Sequence, residues 1–183
     1  VNASQISSET TKTVELDGTD VTFTLAETST SGTWDLSTNA VSDQSGQVVH
    51  IDNTSINDVT ITNNGTLWST ENNAIAFDGT TITGTATITN NTDATIRSDS
   101  TATDEAAIAI KDTTGTINIS NAGTITSKAQ GILNKGSTIK SLTNTGTLET
   151  TGTGTDSISK AGIYNAARST ITTLDNNFGA TLK

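Results

Sequence analysis

The sequence predicts an all-β fold: a right-handed parallel β-helix (β-solenoid) with three short strands per rung and an N-terminal capping region. Three observations predict it. A phrase recurs, as "TITNNGTLWS" from Thr60, "NISNAGTITS" from Asn118 and "SLTNTGTLET" from Ser141, each with an aliphatic, an Asn two residues later, a turn and a second aliphatic. The anchoring Asn falls at Asn63, Asn90, Asn121, Asn144 and Asn176, spacings of 27, 31, 23 and 32 residues that mark one structural unit used repeatedly. The apolar residues are mostly β-branched and evenly spaced, with Gly, Asn, Asp and Ser between them and no Pro in the chain.

The elements follow in order. Residues 1–46 match the repeat poorly, although "VELDGTDVTFTL" alternates at Val14 and Leu16 and at Val21, Phe23 and Leu25; this segment is expected to be an atypical capping rung that closes the end of the core. Residues 47–183 are expected to be rungs. The first strand of each is "VVHI" from Val48, "AIAF" from Ala74, "AIAI" from Ala107, "GILN" from Gly131 and "GIYN" from Gly162, with Val or Ile always second. The middle strand carries Ile61, Ile88, Ile119, Leu142 or Leu174 two residues before the anchor, and the third carries Leu67, Ile96, Ile125, Leu148 or Leu182 after it.

Side chains alternate across a strand, so the aliphatics face one way and Thr60, Thr62, Thr87 and Thr89 the other. Stacked about 4.8 Å apart, equivalent aliphatics fill a narrow interior as ladders. Gly is expected at the corner, and Asn there is expected to tolerate a left-handed backbone and to bond neighbouring rungs. The uneven spacing places insertions at one point of the repeat, "RSDSTATDE" (Arg97 to Glu105) and "TTGTGTDSISK" (Thr150 to Lys160), which are expected to emerge along one edge.

Composition limits the function classes. Leu, Ile, Val and Phe make up only about a fifth of the chain, enough for a thin rod rather than a sphere. The net charge is −10, and the nine Lys and Arg are dispersed, which disfavours nucleic acid as a partner. With no Cys there are no disulfides and no thiolate metal sites. No run approaches the ~18 apolar residues of a membrane-spanning helix, and the start at Val1 reads as that of a processed or excised piece.

The repeated "TNNGTL", "SNAGTI" and "TNTGTL", with "GILN" and "GIYN", resemble the passenger domains of Gram-negative autotransporters, the type V secreted β-helix proteins. The resemblance covers residues 48–183 and implies export across the outer membrane and display on the cell surface or secretion, with adhesion, self-association or toxin delivery as the family's roles and an adhesin-like module as the leading expectation. Attachment to the outer membrane would run through a translocator domain not contained in these residues. The implied partner is a host cell-surface protein or glycan, or another copy of the chain. No protease motif or calcium-binding repeat accompanies the phrase, so no cofactor and no enzyme activity are carried over.

The candidate binding residues are Arg97, Asp99, Asp104 and Glu105 in the first insertion, Thr153 and Asp156 in the second, and the aromatics Trp68 and Tyr164. The aromatics are chosen because exposed Trp and Tyr are frequent binding anchors. Tyr164 is expected to share an external, partly apolar stripe with His50, Ala76, Ala109 and Leu133. His50, the only His, is expected to be solvent-exposed without catalytic partners. A second reading, an ice- or carbohydrate-binding β-solenoid, rests on the outward Thr60/Thr62 and Thr87/Thr89, whose ladders decay in later rungs.

Overall fold

The structure is a computed structural model that describes residues 3–6, 12–17, 20–25, 34–35, 40–41, 47–52, 55–152 and 160–183. It is a β-solenoid. The chain opens with β1 (Ala3–Ile6), β2 (Lys12–Asp17), β3 (Asp20–Leu25), β4 (Trp34–Asp35) and β5 (Ala40–Val41). The rungs then follow as β6 (Val49–Asp52), β7 (Ser55–Ile56), β8 (Asp58–Asn63) and β9 (Thr66–Ser69); β10 (Ile75–Asp78), β11 (Thr81–Asn90) and β12 (Thr95–Ser98); and β13 (Ala106–Lys111), β14 (Thr114–Asn121) and β15 (Thr124–Ser127). Two more complete the stack: β16 (Gln130–Lys135), β17 (Thr138–Asn144) and β18 (Thr147–Thr150), then β19 (Ile163–Asn165), β20 (Thr170–Asn176) and β21 (Thr181–Leu182).

Equivalent strands hydrogen-bond in parallel into three sheets. The first sheet is β6-β10-β13-β16-β19 and the third is β9-β12-β15-β18-β21. The middle sheet runs β3-β8-β11-β14-β17-β20 and is extended at its start by β2 and β1. The described strands of the capping region differ from the rungs in their pairing. β1, β2 and β3 pair antiparallel, and only β3 joins the stack in parallel, with Phe23 beside Ile61. Phe23 is fully buried and extends the aliphatic column into the capping region.

Register is what makes the ladders. Ile61, Ile88, Ile119, Leu142 and Leu174 stand side by side on successive middle strands, and Leu67, Ile96, Ile125, Leu148 and Leu182 do so on the third sheet. All but the last of each column are buried; Leu174 and Leu182 lie on the final rung. Each buried Ile or Leu contributes about 2–3 kcal/mol, so a rung with few aliphatics still holds because every one of them is covered above and below.

The anchoring Asn residues bond neighbouring rungs as expected, but without the left-handed backbone. Among the described residues the non-Gly positions that have one are Asp93, Asp112 and Arg168. Asn63, Asn90, Asn121 and Asn144 are buried. They point inward at the sheet end, where each Nδ2 donates to the Oδ1 of the next at 2.8 Å, through to Asn176. The same amides also donate to backbone oxygens of the following corner, Thr95, Thr124, Thr147 and Thr181. A continuous amide ladder satisfies groups that would be costly to bury alone.

Two glycines at the corner between the middle and third sheets, Gly123 and Gly146, have a steric reason rather than a dihedral one. A Cβ on Gly123 would sit 2.2 Å from the Ala94 carbonyl oxygen, and one on Gly146 would sit 2.1 Å from that of Gly123. At Gly123 and Gly146 the neighbouring corner backbone leaves no room for a Cβ, whereas the equivalent position of an earlier rung holds Ala94.

Candidate functional site

The first and third sheets meet at the corner where the insertions occur. The shortest crossing, from β15 to β16, needs only Lys128 and Ala129, whereas 70–74 and 99–105 are longer. Arg97 and Thr150 belong to strands, so the first insertion begins at Asp99. Thr153 and Asp156 of the second insertion lie outside the described residues.

Three of the candidate residues come together here. Trp68 and Arg97 are register neighbours on the outer face of the third sheet. The Arg97 guanidinium lies 4.8 Å from the centre of the Trp68 ring, within cation–π range. Arg97 also donates to Asp99 through Nε at 2.8 Å and through a terminal nitrogen at 2.9 Å, a two-pronged ion pair. The indole Nε1–H of Trp68 donates to the same carboxylate at 3.0 Å. Burial works against the Asp99 charge, but the hydrogen bonds from Arg97 and Trp68, with the positive charges of Arg97 and Lys128, outweigh it and lower the pKa. Asp99 is therefore a fixed carboxylate.

Beside this cluster is a depression of about 340 Å³, lined by Thr70, Glu71, Asp99, Ser100, Thr101 and Ala102. It presents hydroxyls, an exposed carboxylate on Glu71 and the buried side of the insertion. Glu71, Thr70, Ser100 and Thr101 were missed as sequence candidates. The signal available was positional: "TENNA" from Thr70 occupies the same inter-sheet crossing one rung earlier.

The remaining candidates sit elsewhere. Rather than projecting freely, the first insertion folds back toward the first sheet. Asp104 pairs with Lys135 at 3.3 Å, and the Gln130 side-chain amide donates to the Thr103 carbonyl oxygen. Glu105 is partly buried, and burial is the main cause that raises its pKa above the ordinary value. Tyr164 does align with His50, Ala76, Ala109 and Leu133 as expected, but the stripe is not external. Ala76, Ala109 and Leu133 are buried, and Ala106, Ala109 and Leu133 form a small second core against which Tyr164 packs. The outward direction was right and the exposure wrong, because side chains of successive rungs pack into this small second core. His50 likewise is not freely solvated: its Nε2 lies 2.9 Å from Asp78 Oδ2, with about a fifth of the side chain exposed (19%).

Among the described residues no group of three or more metal-ligating side chains converges, and no helix is long and apolar enough to cross a membrane. The outer face of the third sheet carries one further regular feature, an unbroken column of Thr66, Thr95, Thr124, Thr147 and Thr181. Comparison of the chain with protein-family models, with curated proteins and with solved structures returns no match.

Proposed function

We propose that this solenoid is a non-enzymatic recognition module, the adhesin-like part of an autotransporter passenger that is displayed on a Gram-negative cell surface or secreted. It attaches to a host glycan or polar protein surface, or to another copy of itself, through the corner between the first and third sheets. The observation that carries the reading is the Trp68–Arg97–Asp99 cluster beside the Thr70–Ala102 depression. Trp and Arg are the residue types most enriched among binding hot spots, and these two are held in place by hydrogen bonds before any partner arrives. The repeat phrase supports the secretion class, since the likeness to autotransporter passengers is one of sequence pattern. Anchorage would be supplied by a separate translocator domain.

The test is attachment to cultured host cells and bacterial aggregation, measured for the wild type, for Trp68→Ala with Arg97→Ala, and for a chain whose 99–105 segment is shortened to the length of Lys128–Ala129. Attachment or aggregation is expected to fall in both variants while the fold persists. Undiminished activity in both would overturn the reading.

A second reading, an ice- or carbohydrate-binding solenoid, is favoured by the Thr column of the third sheet, which keeps the same residue in every rung. Thermal hysteresis that disappears when Thr124 and Thr147 are replaced by Ala would favour this reading over the first.

A further inference from the structure

Glu105 closes the first insertion as the chain re-enters the first sheet. Among the described residues its Oε2 is buried without a hydrogen-bond donor, and so is Oε1 of Gln130, a residue with none of its surface exposed. The two residues are joined through the backbone, the Gln130 N–H donating to the Glu105 carbonyl oxygen at 3.4 Å. The Gln130 side-chain amide in turn holds Thr103. A buried carboxylate oxygen without a donor carries the cost of an uncompensated charge, which protonation removes.

The groups acting on Glu105 come from several elements. Burial is the largest influence and opposes its charge; Lys111 of β13 and the nearby Ser100 hydroxyl favour the charge, and Asp104 and Asp78 oppose it. Asp104 is engaged by Lys135 and Asp78 by His50. The balance raises the pKa of Glu105.

We propose that Glu105 is a proton-dependent latch: in its neutral form it seats the 99–105 segment on the first sheet, and ionisation loosens that segment. A raised pKa in the seated state means that the latch is fully engaged below the ordinary Glu range and is lost as pH rises through the seated-state value. The seated-to-loose ratio changes about tenfold for each pH unit separating the two values. The segment carries Asp99, Ser100 and Thr101 of the depression, so acidification consolidates that wall; this consequence for binding rests on the recognition role proposed above.

The experiment is amide hydrogen exchange on the folded full chain between about pH 4 and about pH 8, corrected for intrinsic exchange, together with a carboxyl-carbon NMR titration of Glu105. The reporting amides are those of Glu105, which donates to Ala102, and Gln130, which donates to Glu105; Thr124 and Thr147 serve as controls within the stack. In the wild type, protection at the reporters is expected to rise as pH falls while the controls stay constant. Glu105→Gln is expected to hold the reporters at their acid-pH protection throughout, and Asp104→Asn is expected to keep the pH dependence. A Glu105 midpoint at or below its ordinary value, or a Glu105→Gln profile that follows the wild type, would overturn the proposal. Neither readout uses a binding partner, so failure of the recognition role leaves this outcome unchanged.

Discussion

Replacing Asn121 with Ala tests whether the amide ladder holds the rungs or merely decorates them. The Asn121 Nδ2 group donates to Asn144 Oδ1 at 2.8 Å, to Thr147 O at 2.9 Å and to Gly123 O at 3.2 Å. Its Oδ1 accepts from Asn90 Nδ2 at 2.8 Å. Truncation removes these bonds and strands the buried Oδ1 of Asn144, while Asn90 Nδ2 keeps its contacts with Ala94 O and Thr124 O. One stranded buried acceptor costs about 1–3 kcal/mol, and each lost but partly replaced bond about 0.5–1.5 kcal/mol. The expected loss is thus about 3–5 kcal/mol in urea denaturation followed by circular dichroism. Asn176→Ala, at the exposed end of the ladder, is the internal control and should cost under about 1.5 kcal/mol. Asn121→Asp sharpens the test, because a carboxylate still accepts from Asn90 but faces Asn144 Oδ1 with no donor; it should be more damaging at neutral pH than at acid pH. Equal midpoints for Asn121→Ala and Asn176→Ala would refute the reasoning.

Other perturbations separate inward from outward positions and closeness from conformation. Ile119→Asp, in the middle of a buried column, should lose at least about 2–5 kcal/mol, whereas Thr143→Val on the outer face should change the urea midpoint little. Gly146→Ala drives a methyl to 2.1 Å from the Gly123 carbonyl oxygen and should lower thermal stability by about 1–3 kcal/mol even though no left-handed dihedral is involved. Because the pKa of Asp99 is depressed, its contribution to stability is present above the ordinary carboxylate value and lost as pH falls through the folded-state value; Asp99→Asn should remove that acid-side loss in melts taken across the range.

The aliphatic ladders were legible because the rod obeys two local rules, alternation within a strand and repetition between rungs, and both leave direct traces at Ile61, Ile88, Ile119 and Leu142. The amide ladder was half legible. Asn63 stands two residues after Ile61 and so shares its inward direction, but the preference of Asn for turns masked that it ends a strand. What lies over the first sheet was not legible. Tyr164 and Leu133 point away from the main core, and alternation gives the direction of a side chain but not whether it is covered, as these are by packing with Ala106 and Ala109. The Trp68–Arg97–Asp99 cluster fell between these cases: each residue was a candidate, but their convergence required the register that sets Trp68 beside Arg97 across 29 positions of sequence.

The ladder bonds join residues 27, 31, 23 and 32 positions apart with the same 2.8 Å contact in each case. The stack is therefore indifferent to how much chain is looped out between one rung and the next. Closing a longer loop adds only a slowly growing entropic cost, roughly 0.6 kcal/mol for each doubling of length. The corner between the first and third sheets can thus exchange, lengthen or discard its loops while the interior stays the same, so a lineage of such rods would vary at what it touches while conserving what holds it up.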